Sequence, residues 1–530
     1  MSTDIDTSEL TRLASSNALS DLLRRSAART PSKTALVYRG FLQTYAELEA
    51  TVNRTANALA ARGIGCGDRV ALLSHNNHVY VIVTLALARL GAISVPINFM
   101  LNAAEVAFIL AHSGAVGMVV EDALAGVADE AIVAGGNRLV VRGVILETAD
   151  TAPEGWEDCT AWLLHADATP VATPVDDDQP IQIMYTSGTE SRPKGATLSS
   201  RGLIAQYVSC IVDGEMSAGD VLVHSMPLYH CAQQHCFLMP GIYLGATNIV
   251  LAGPQPGVIF AAIERYGANS FFAPPTVWIA MLRHAEFDAA RVSSLRKGYY
   301  GASIMPVEIV KELIERIPGL RLFNFYGQTE MCPVATVLKP EDQLRKLGSA
   351  GRAAINVETR VVDDQDEPVD PGIVGEIVHR SPHAMLGYWQ DPEKTATAFR
   401  NGWFHSGDLG LMDEDGYLRV VDRKKDMIKT GGENVASREV EDVLYAHPAV
   451  AEVAVFGVPD PRWIEAVAAA VVTRPDATVE AEEIIKFCRE RLAGYKTPKQ
   501  VHFVERLPKN ASGKILKREL RLSFARADDV

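Results

Sequence analysis

The stretch IQIMYTSGTESRPKG, Ile181 to Gly195, runs an apolar strand pattern into Thr186, Ser187, Gly188, Thr189, Ser191, Arg192, Pro193, Lys194 and Gly195. Hydroxyls and backbone N–H groups with little side-chain bulk suit phosphate oxygens, and Arg192 and Lys194 can supply positive charge. A Ser/Gly-rich surface loop is the commoner origin of such a composition. The stretch is not a P-loop, because the Gly-Lys-Ser/Thr that opens a helix is absent.

Outward from it, helix and strand patterns alternate. Leu48, Val52, Ala56 and Leu59 recur at helical spacing between the apolar runs TALV and RVALL. A helix around Tyr80 to Leu90 precedes AISVPI, and the cycle returns in LIAQYVSCIV, VLVHSMPL, TNIVLA, VIFAAIERYG and SFFAPP. Short apolar strands separated by helices predict βαβ units in mostly parallel sheets covered on both faces. No fixed-period repeat is present. From about Asn356 the texture changes to TRVVDD, EIVHR and YLRVV, punctuated by turn formers, which predicts a small antiparallel β subdomain. After Arg423-Lys424-Lys425-Asp426 a separate α+β unit is expected. Ser437 should cap a helix through Tyr445, VAEVAVFGV and AVAAAVVT read as strands, and a helix lies near Glu482 to Leu492. The expected fold class is therefore α/β. A large N-terminal domain, residues 1–424, holds two βαβ-type sheet subdomains and a small β subdomain. A small, mobile C-terminal α+β domain, residues 425–530, follows.

At about 150 residues per domain, 530 residues exceed a single core. The chain is 48% apolar and 22% charged, which excludes wholesale disorder, collagen and coiled coil. Asp and Glu outnumber Lys and Arg by 65 to 51, a net charge of −14, which argues against nucleic acid or anionic membrane as the main partner. Seven cysteines without repeated spacing fit a reducing cytoplasm better than a disulfide framework. The first thirty residues lack the pattern of a signal peptide. The longest apolar run, Val79 to Ala88, stops at Arg89, too short to cross a bilayer.

Four further stretches carry chemistry. LFNFYGQTEM, Leu322 to Met331, delivers Tyr326, Gly327, Gln328, Thr329 and Glu330: an aromatic to stack on a purine, a glycine for close approach and a carboxylate for Mg²⁺. GWFHSGDLG, Gly402 to Gly410, holds Asp408 between glycines, able to accept from ribose hydroxyls. VVDRKKDMIKTGGENV, Val420 to Val435, is a basic run ending in a glycine pair, and LPKNASGKILKREL, Leu507 to Leu520, sets Lys514 in a small-residue turn. Taken singly, each also reads as a polar turn or a solvated charged face.

Together and in this order, the five stretches resemble the adenylate-forming superfamily of acyl- and aryl-CoA synthetases, nonribosomal adenylation domains and luciferases. The match runs from about Asn17 to Lys517 and is most like the fatty acyl-CoA synthetases. The resemblance implies ATP, CoA and a small-molecule carboxylic acid as substrates, with Mg²⁺. It implies an acyl-adenylate formed with release of pyrophosphate, then an acyl-CoA with release of AMP. On this resemblance Thr186, Ser187, Gly188, Thr189 and Lys194 cradle the β- and γ-phosphates. Tyr326 and Gly327 meet adenine with Asn324 and Ser303 nearby. Asp408 and Arg423 grip the ribose, Thr329 touches the α-phosphate, and Glu330 holds Mg²⁺. Lys514 bridges the carboxylate and the α-phosphate. His230 gates an acyl pocket lined by Gly301, Ala302 and Met331. Lys425 is the hinge, and Gly431, Gly432 and Glu433 line the CoA thiol's path. His230, Cys231, His235 and Cys236 do not match structural-zinc spacing.

Two positions depart from the pattern: Glu190-Ser191 where Thr-Gly is usual, and Ile464 where a glycine commonly precedes the glutamate. The segment between Asp408 and Asp422 is short, which favours a CoA ligase over a fatty acyl-AMP ligase. No carrier domain follows Lys517. The expected substrate is a fatty or medium-chain acid, with an aryl acid or carrier-protein loading as the alternative and a nucleotide-binding regulator without turnover as the non-enzyme alternative. No oligomeric state is legible, and a homodimer stays open.

Overall fold

The computed structural model describes residues 11, 14–15, 17–171, 175–186, 193–303, 305–424, 426–430, 433–474, 477–510 and 515–524. Four sheets organise them. The first, in spatial order, is Arg352–Ala353, Val334–Leu338, Arg321–Gly327, Lys297–Gly301, Ser270–Phe272, Val221–His224, Thr247–Val250, Thr34–Tyr38 and Phe41–Thr44. The second is Gly387–Tyr388, Lys194–Ser199, Pro180–Thr186, Ile93–Ile97, Arg69–Leu73, Gly117–Glu121, Val141–Ile145 and Glu157–Asp158. Both are parallel in the middle and antiparallel at one or both edges. The third sheet, Glu358–Val362, Gly375–Arg380, Phe404–Met412 and Leu418–Arg423, is antiparallel throughout. The fourth belongs to a small C-terminal α+β domain: Glu433–Val435, Ile428–Thr430, Ile464–Thr473 and Val450–Asp460, with Gln500–Phe503 parallel to Ile464–Thr473. This is the mixed α/β architecture read from the sequence.

Local chemistry accounts for the elements. Helix His78–Leu90 is apolar nearly all round and buried along its length after His78. Asn77 caps it by accepting from Tyr80 N, and Gly91 ends it at φ 69°. Helix Ala103–Ser113 opens on a capping box of Asn102 and Glu105. Among the described residues, no helix is long and apolar enough to cross a membrane.

The first two sheets meet across a buried polar network. The segment Ala232–Leu238 winds as a π-helix and aims His235 at strand Pro180–Thr186. His235 Nε2 lies 2.6 Å from Gln182 Oε1 and its Nδ1 lies 2.6 Å from the Tyr207 hydroxyl. Gln182 in turn donates to Ser94 Oγ and Gln234 Oε1. The amide oxygen of Gln182 assigns the proton to Nε2, so the imidazole is neutral and fully paired. Nearby His224 bonds Asn248 and Gln233 in the same manner. Such satisfied networks fix one packing arrangement, because every alternative strands a buried polar atom.

Two expectations for the small domain change. Ser437 does not cap its helix from the N-cap position; it is the first residue of Ser437–Tyr445, behind Ala436. The cap comes instead from Asp422, on the last strand of the third sheet, whose Oδ2 accepts from Ser437 N at 2.7 Å and Ser437 Oγ at 2.8 Å. A carboxylate is the stronger acceptor and suits the positive end of a helix, so the serine hydroxyl becomes a donor. The helix expected to reach Leu492 spans Ala481–Arg489. Ile464 adopts φ 73°, the left-handed conformation that favours glycine, at 69% exposure. That is why a glycine at this position would be unstrained and this isoleucine is not.

Burial lowers the pKa of His235 to about 3 and that of His224 to about 4, against 6.5 for an ordinary histidine. The unfolded chain therefore takes protons that the folded chain refuses as pH falls below 6.5. This part of the stability is complete above pH 6.5 and is lost progressively towards pH 4. Thermal unfolding midpoints should drop as the pH is lowered from about 7 to about 5, and those of His235→Gln should drop less steeply over that range. Equal slopes would contradict a neutral, buried His235.

Candidate active site

The strand Arg321–Gly327 ends where three sheets converge. Gly327 is required there, because a Cβ would lie 1.9 Å from the Pro333 carbonyl oxygen. Likewise a Cβ on Gly301, at the end of the neighbouring strand, would lie 2.3 Å from the Phe325 carbonyl oxygen. These close approaches bring Tyr326, Thr329 and Glu330 and the Gly301–Ala302 corner to one cavity of about 690 Å³. Its wall also includes Thr186, Lys194, His230, Glu330, Asp408 and Arg423. Residues from distant parts of the sequence thus face a single space.

Asp408 is the most heavily engaged group. It is 4% exposed and lies directly across from Arg423 in the register of strands Phe404–Met412 and Leu418–Arg423. Its Oδ1 is 3.3 Å from Arg423 Nε. Its Oδ2 accepts from the Tyr326 hydroxyl at 2.8 Å and from Gln328 Nε2 at 3.1 Å. Burial, then the Asp408 charge, raise the Tyr326 phenol far above its ordinary range, so it stays a donor. Gln328 Nε2 also donates to the Tyr326 hydroxyl, while Gln328 Oε1 is buried without a hydrogen-bond partner among the described residues.

Across the cavity, the Tyr388 hydroxyl donates to Glu330 Oε1 at 2.9 Å, and Lys194 Nζ stands 5.4 Å from the centre of the Tyr388 ring. Thr329 Oγ1 is 3.2 Å from Cys231 Sγ. Burial pushes the Cys231 thiol up to about 12, so it is neutral and not a nucleophile. His230 Nδ1 accepts from Ala232 N, which turns its ring along the start of the π-helical segment. Inward, Phe237, Phe272 and Phe325 line the same cavity. Phe237 stacks on Phe272 with ring centres 4.4 Å apart and packs on Phe325 at 5.6 Å.

Four sequence candidates stand elsewhere. Met331 is fully buried in the core beside the turn, Asn324 donates to the Ser349 carbonyl, Ser303 is exposed, and Glu433 is exposed on a strand of the small domain. Ser187, Gly188, Thr189, Glu190, Ser191, Lys425, Gly431, Gly432 and Lys514 lie outside the described residues. Two described residues bracket the last of these: Lys509 and Ile515 form an antiparallel bridge, and Asn510 lines the cavity. Sequence reasoning misses Gln328 as a contact, although it lies inside YGQTE, and misses Tyr388, which is 58 residues from Glu330 and has no local signal.

The match to known proteins agrees with this geometry. Residues 23–389 match the family described as AMP-binding enzyme, and residues 439–514 match its C-terminal domain. The chain belongs to the AMP-binding enzyme family. It is 39% identical over 500 residues to a feruloyl-CoA synthase of an Amycolatopsis species, covering 94% of this chain and 98% of that protein. It is 35% identical to the structure of a Mycobacterium tuberculosis fatty acyl CoA synthetase, with a TM-score of 0.76 over 96% of this chain and 98% of that one. It is 27% identical to the structure of the anthranilate CoA ligase AuaEII in complex with anthranoyl-AMP, with a TM-score of 0.90 over 97% of this chain and 98% of that one.

For AMP held in this cavity, Asp408 would be a charged acceptor on the wall. Asp408→Asn keeps the shape and removes the charge. Hydrogen bonds to a charged group are worth about 1.5–3 kcal/mol, so AMP affinity measured by calorimetry should drop roughly 10- to 100-fold. Tyr326→Phe, which removes the competing donor but keeps the ring, should bind AMP at least as tightly as the parent chain.

Proposed function

We propose that this chain is an AMP-forming carboxylate–CoA ligase acting on an acid with an aryl group. The coarser part, an acyl- or aryl-CoA ligase, rests on family membership and on relatives across almost the whole chain. The aryl assignment is supported by one observation: three nearly buried rings, Phe237, Phe272 and Phe325, contribute to the wall of the cavity. These rings stack on one another, with centres 4.4 and 5.6 Å apart, and so form a rigid aromatic patch that suits a substrate ring better than a flexible chain.

The chemistry follows from the charges that must be brought together. A carboxylate and a triphosphate repel, so the acid needs a cation between them and donors at the phosphorus. In this reading Tyr326 stacks on adenine, and Asp408 accepts from the ribose hydroxyls beside Arg423. Thr329 donates to the α-phosphate, Thr186 and Lys194 face the β- and γ-phosphates, and Lys514 joins the acid to the α-phosphate. The carboxylate oxygen attacks the α-phosphorus as the bond to the bridging oxygen of the β-phosphate breaks and pyrophosphate leaves. A thiol then attacks the acyl carbon; the C–S bond forms, the acyl–phosphate bond breaks, the thiol proton departs and AMP is released. His230 borders both the phosphate side and the aromatic end. Lys425 is read as the hinge that carries Gly431, Gly432 and Glu433 towards the adenylate for that second step.

The donor set also fits Mg²⁺. Among the described residues no group of three His, Cys, Asp or Glu side chains could hold a metal ion, and Glu330 offers the cavity a single carboxylate bonded to Tyr388, whose ring also lies under Lys194. Mg²⁺ is bound in that way, by one or two carboxylates together with substrate phosphates. When bound, it would neutralise charge on the leaving pyrophosphate.

A medium-chain acid is the second reading, carried by the apolar wall and by the 35% identity to a fatty acyl CoA synthetase. Pyrophosphate release across hydroxycinnamic, benzoic, octanoic and palmitic acids distinguishes the two. An aryl acid should lead octanoic acid by at least about tenfold in kcat/KM, a difference of about 1.4 kcal/mol, and Phe237→Ala should narrow that gap by admitting the chain. A lead by octanoic acid in the parent chain would reverse the assignment.

Lys514→Ala should lower adenylation about 10²- to 10³-fold, the typical cost of one preorganised charge-stabilising group. Thiol attack on preformed acyl-adenylate should survive. Equal loss in both half-reactions would rule out the bridging role.

A further inference from the structure

We infer that Tyr388 is a positioning residue for the phosphate side of this site. Its hydroxyl aims the Glu330 carboxylate while its ring face seats Lys194. The inference rests on the roles proposed for Glu330 and Lys194.

The segment Met385–Trp389 is laced between the turn that carries Glu330 and the strand that begins at Lys194. Met385 N donates to the Glu330 carbonyl at 2.8 Å, Leu386 N to Thr197 O at 2.8 Å, and Trp389 N to Gly195 O at 2.7 Å. Gly387 and Tyr388 pair with Thr197 and Ala196 at the edge of the second sheet. Tyr388 N donates to Thr395 Oγ1 at 2.9 Å, and Gly387 has φ 144° with Thr395 Cγ2 2.8 Å from where a Cβ would stand. The backbone under Tyr388 therefore has no slack, and its side chain projects from a fixed base.

From that base one side chain reaches both charged groups. A glutamate has several rotatable bonds, and beside a polyphosphate it is driven away by like charge unless something holds it. The Tyr388 hydroxyl holds Oε1 at 2.9 Å, and Glu330 lines the cavity. The same ring, with Lys194 Nζ 5.4 Å from its centre, offers the ammonium a partly desolvated seat on its negative face. Ring and hydroxyl are separable: Tyr388→Phe removes the hold on Glu330 and keeps the seat, whereas Tyr388→Leu removes both.

Calorimetry on the full chain reads the difference as dissociation constants for ATP with Mg²⁺ and for ATP with EDTA. Tyr388→Phe should weaken binding of Mg²⁺·ATP about tenfold, as expected for a lost bond to a charged group, and leave metal-free ATP within about twofold. Tyr388→Leu should weaken both. Glu330→Gln, the control for the underlying reading, should reproduce the Tyr388→Phe pattern. If Glu330→Gln selectively weakens Mg²⁺·ATP and Tyr388→Phe does not, Tyr388 does not act through Glu330 and the inference fails alone. If Tyr388→Phe weakens both forms equally, its role is merely structural and the inference also fails. If Glu330→Gln leaves Mg²⁺·ATP binding unchanged, the reading of the metal side falls and takes the inference with it.

Discussion

A buried carboxylate at Asp408 ties the first sheet to the third. It is 4% exposed, pairs with Arg423 on one oxygen and takes two donors from the strand end of another sheet on the other. A charge in that position is tolerable only while it is paired and hydrogen-bonded. The register that sets Asp408 opposite Arg423, and the close approach that needs Gly327, are therefore conditions for the cavity to exist. A ligand whose hydroxyls donate to Asp408 would have to displace the Tyr326 and Gln328 donors it now holds. Binding of that kind would exchange one set of hydrogen bonds for another, which moderates affinity.

Much of this is legible in the chain. The alternation of short apolar runs with helical periodicity identifies two parallel-centred sheets, and the Asp-Gly and Pro-Gly punctuation after Asn356 identifies the antiparallel one. The turn chemistry of YGQTE and SGD marks where strands deliver polar groups, and the cavity gathers Tyr326, Thr329, Glu330 and Asp408. These signals are local: a few adjacent residues carry both the backbone conformation and the chemistry.

What escapes is long-range. Tyr388 meets Glu330 through a two-residue edge strand, a pairing too short for any periodic pattern. Cys231 reaches Thr329 across 98 positions. Ser437 has the residue type of a cap, yet Asp422, 15 positions away on a different sheet, takes over the task because a carboxylate outcompetes a hydroxyl for the helix N-terminus. Met331 shares a motif with the site residues but points into the core, since consecutive residues of a single turn cannot all face one cavity. Sequence distance hides the first three of these and the geometry of one tight turn hides the last.

The same packing links substrate choice to the fold. Phe237 stands on the π-helical segment Ala232–Leu238, which also carries His235. His235 is locked to Gln182 and Tyr207, so the aromatic wall is anchored to the second sheet by a neutral imidazole. Shifting the backbone of that segment would break a fully satisfied buried network, at about 1–3 kcal/mol for each polar group left unpaired. The wall of the cavity is thus tied to the packing between two sheets, which the motifs shared across the family do not record.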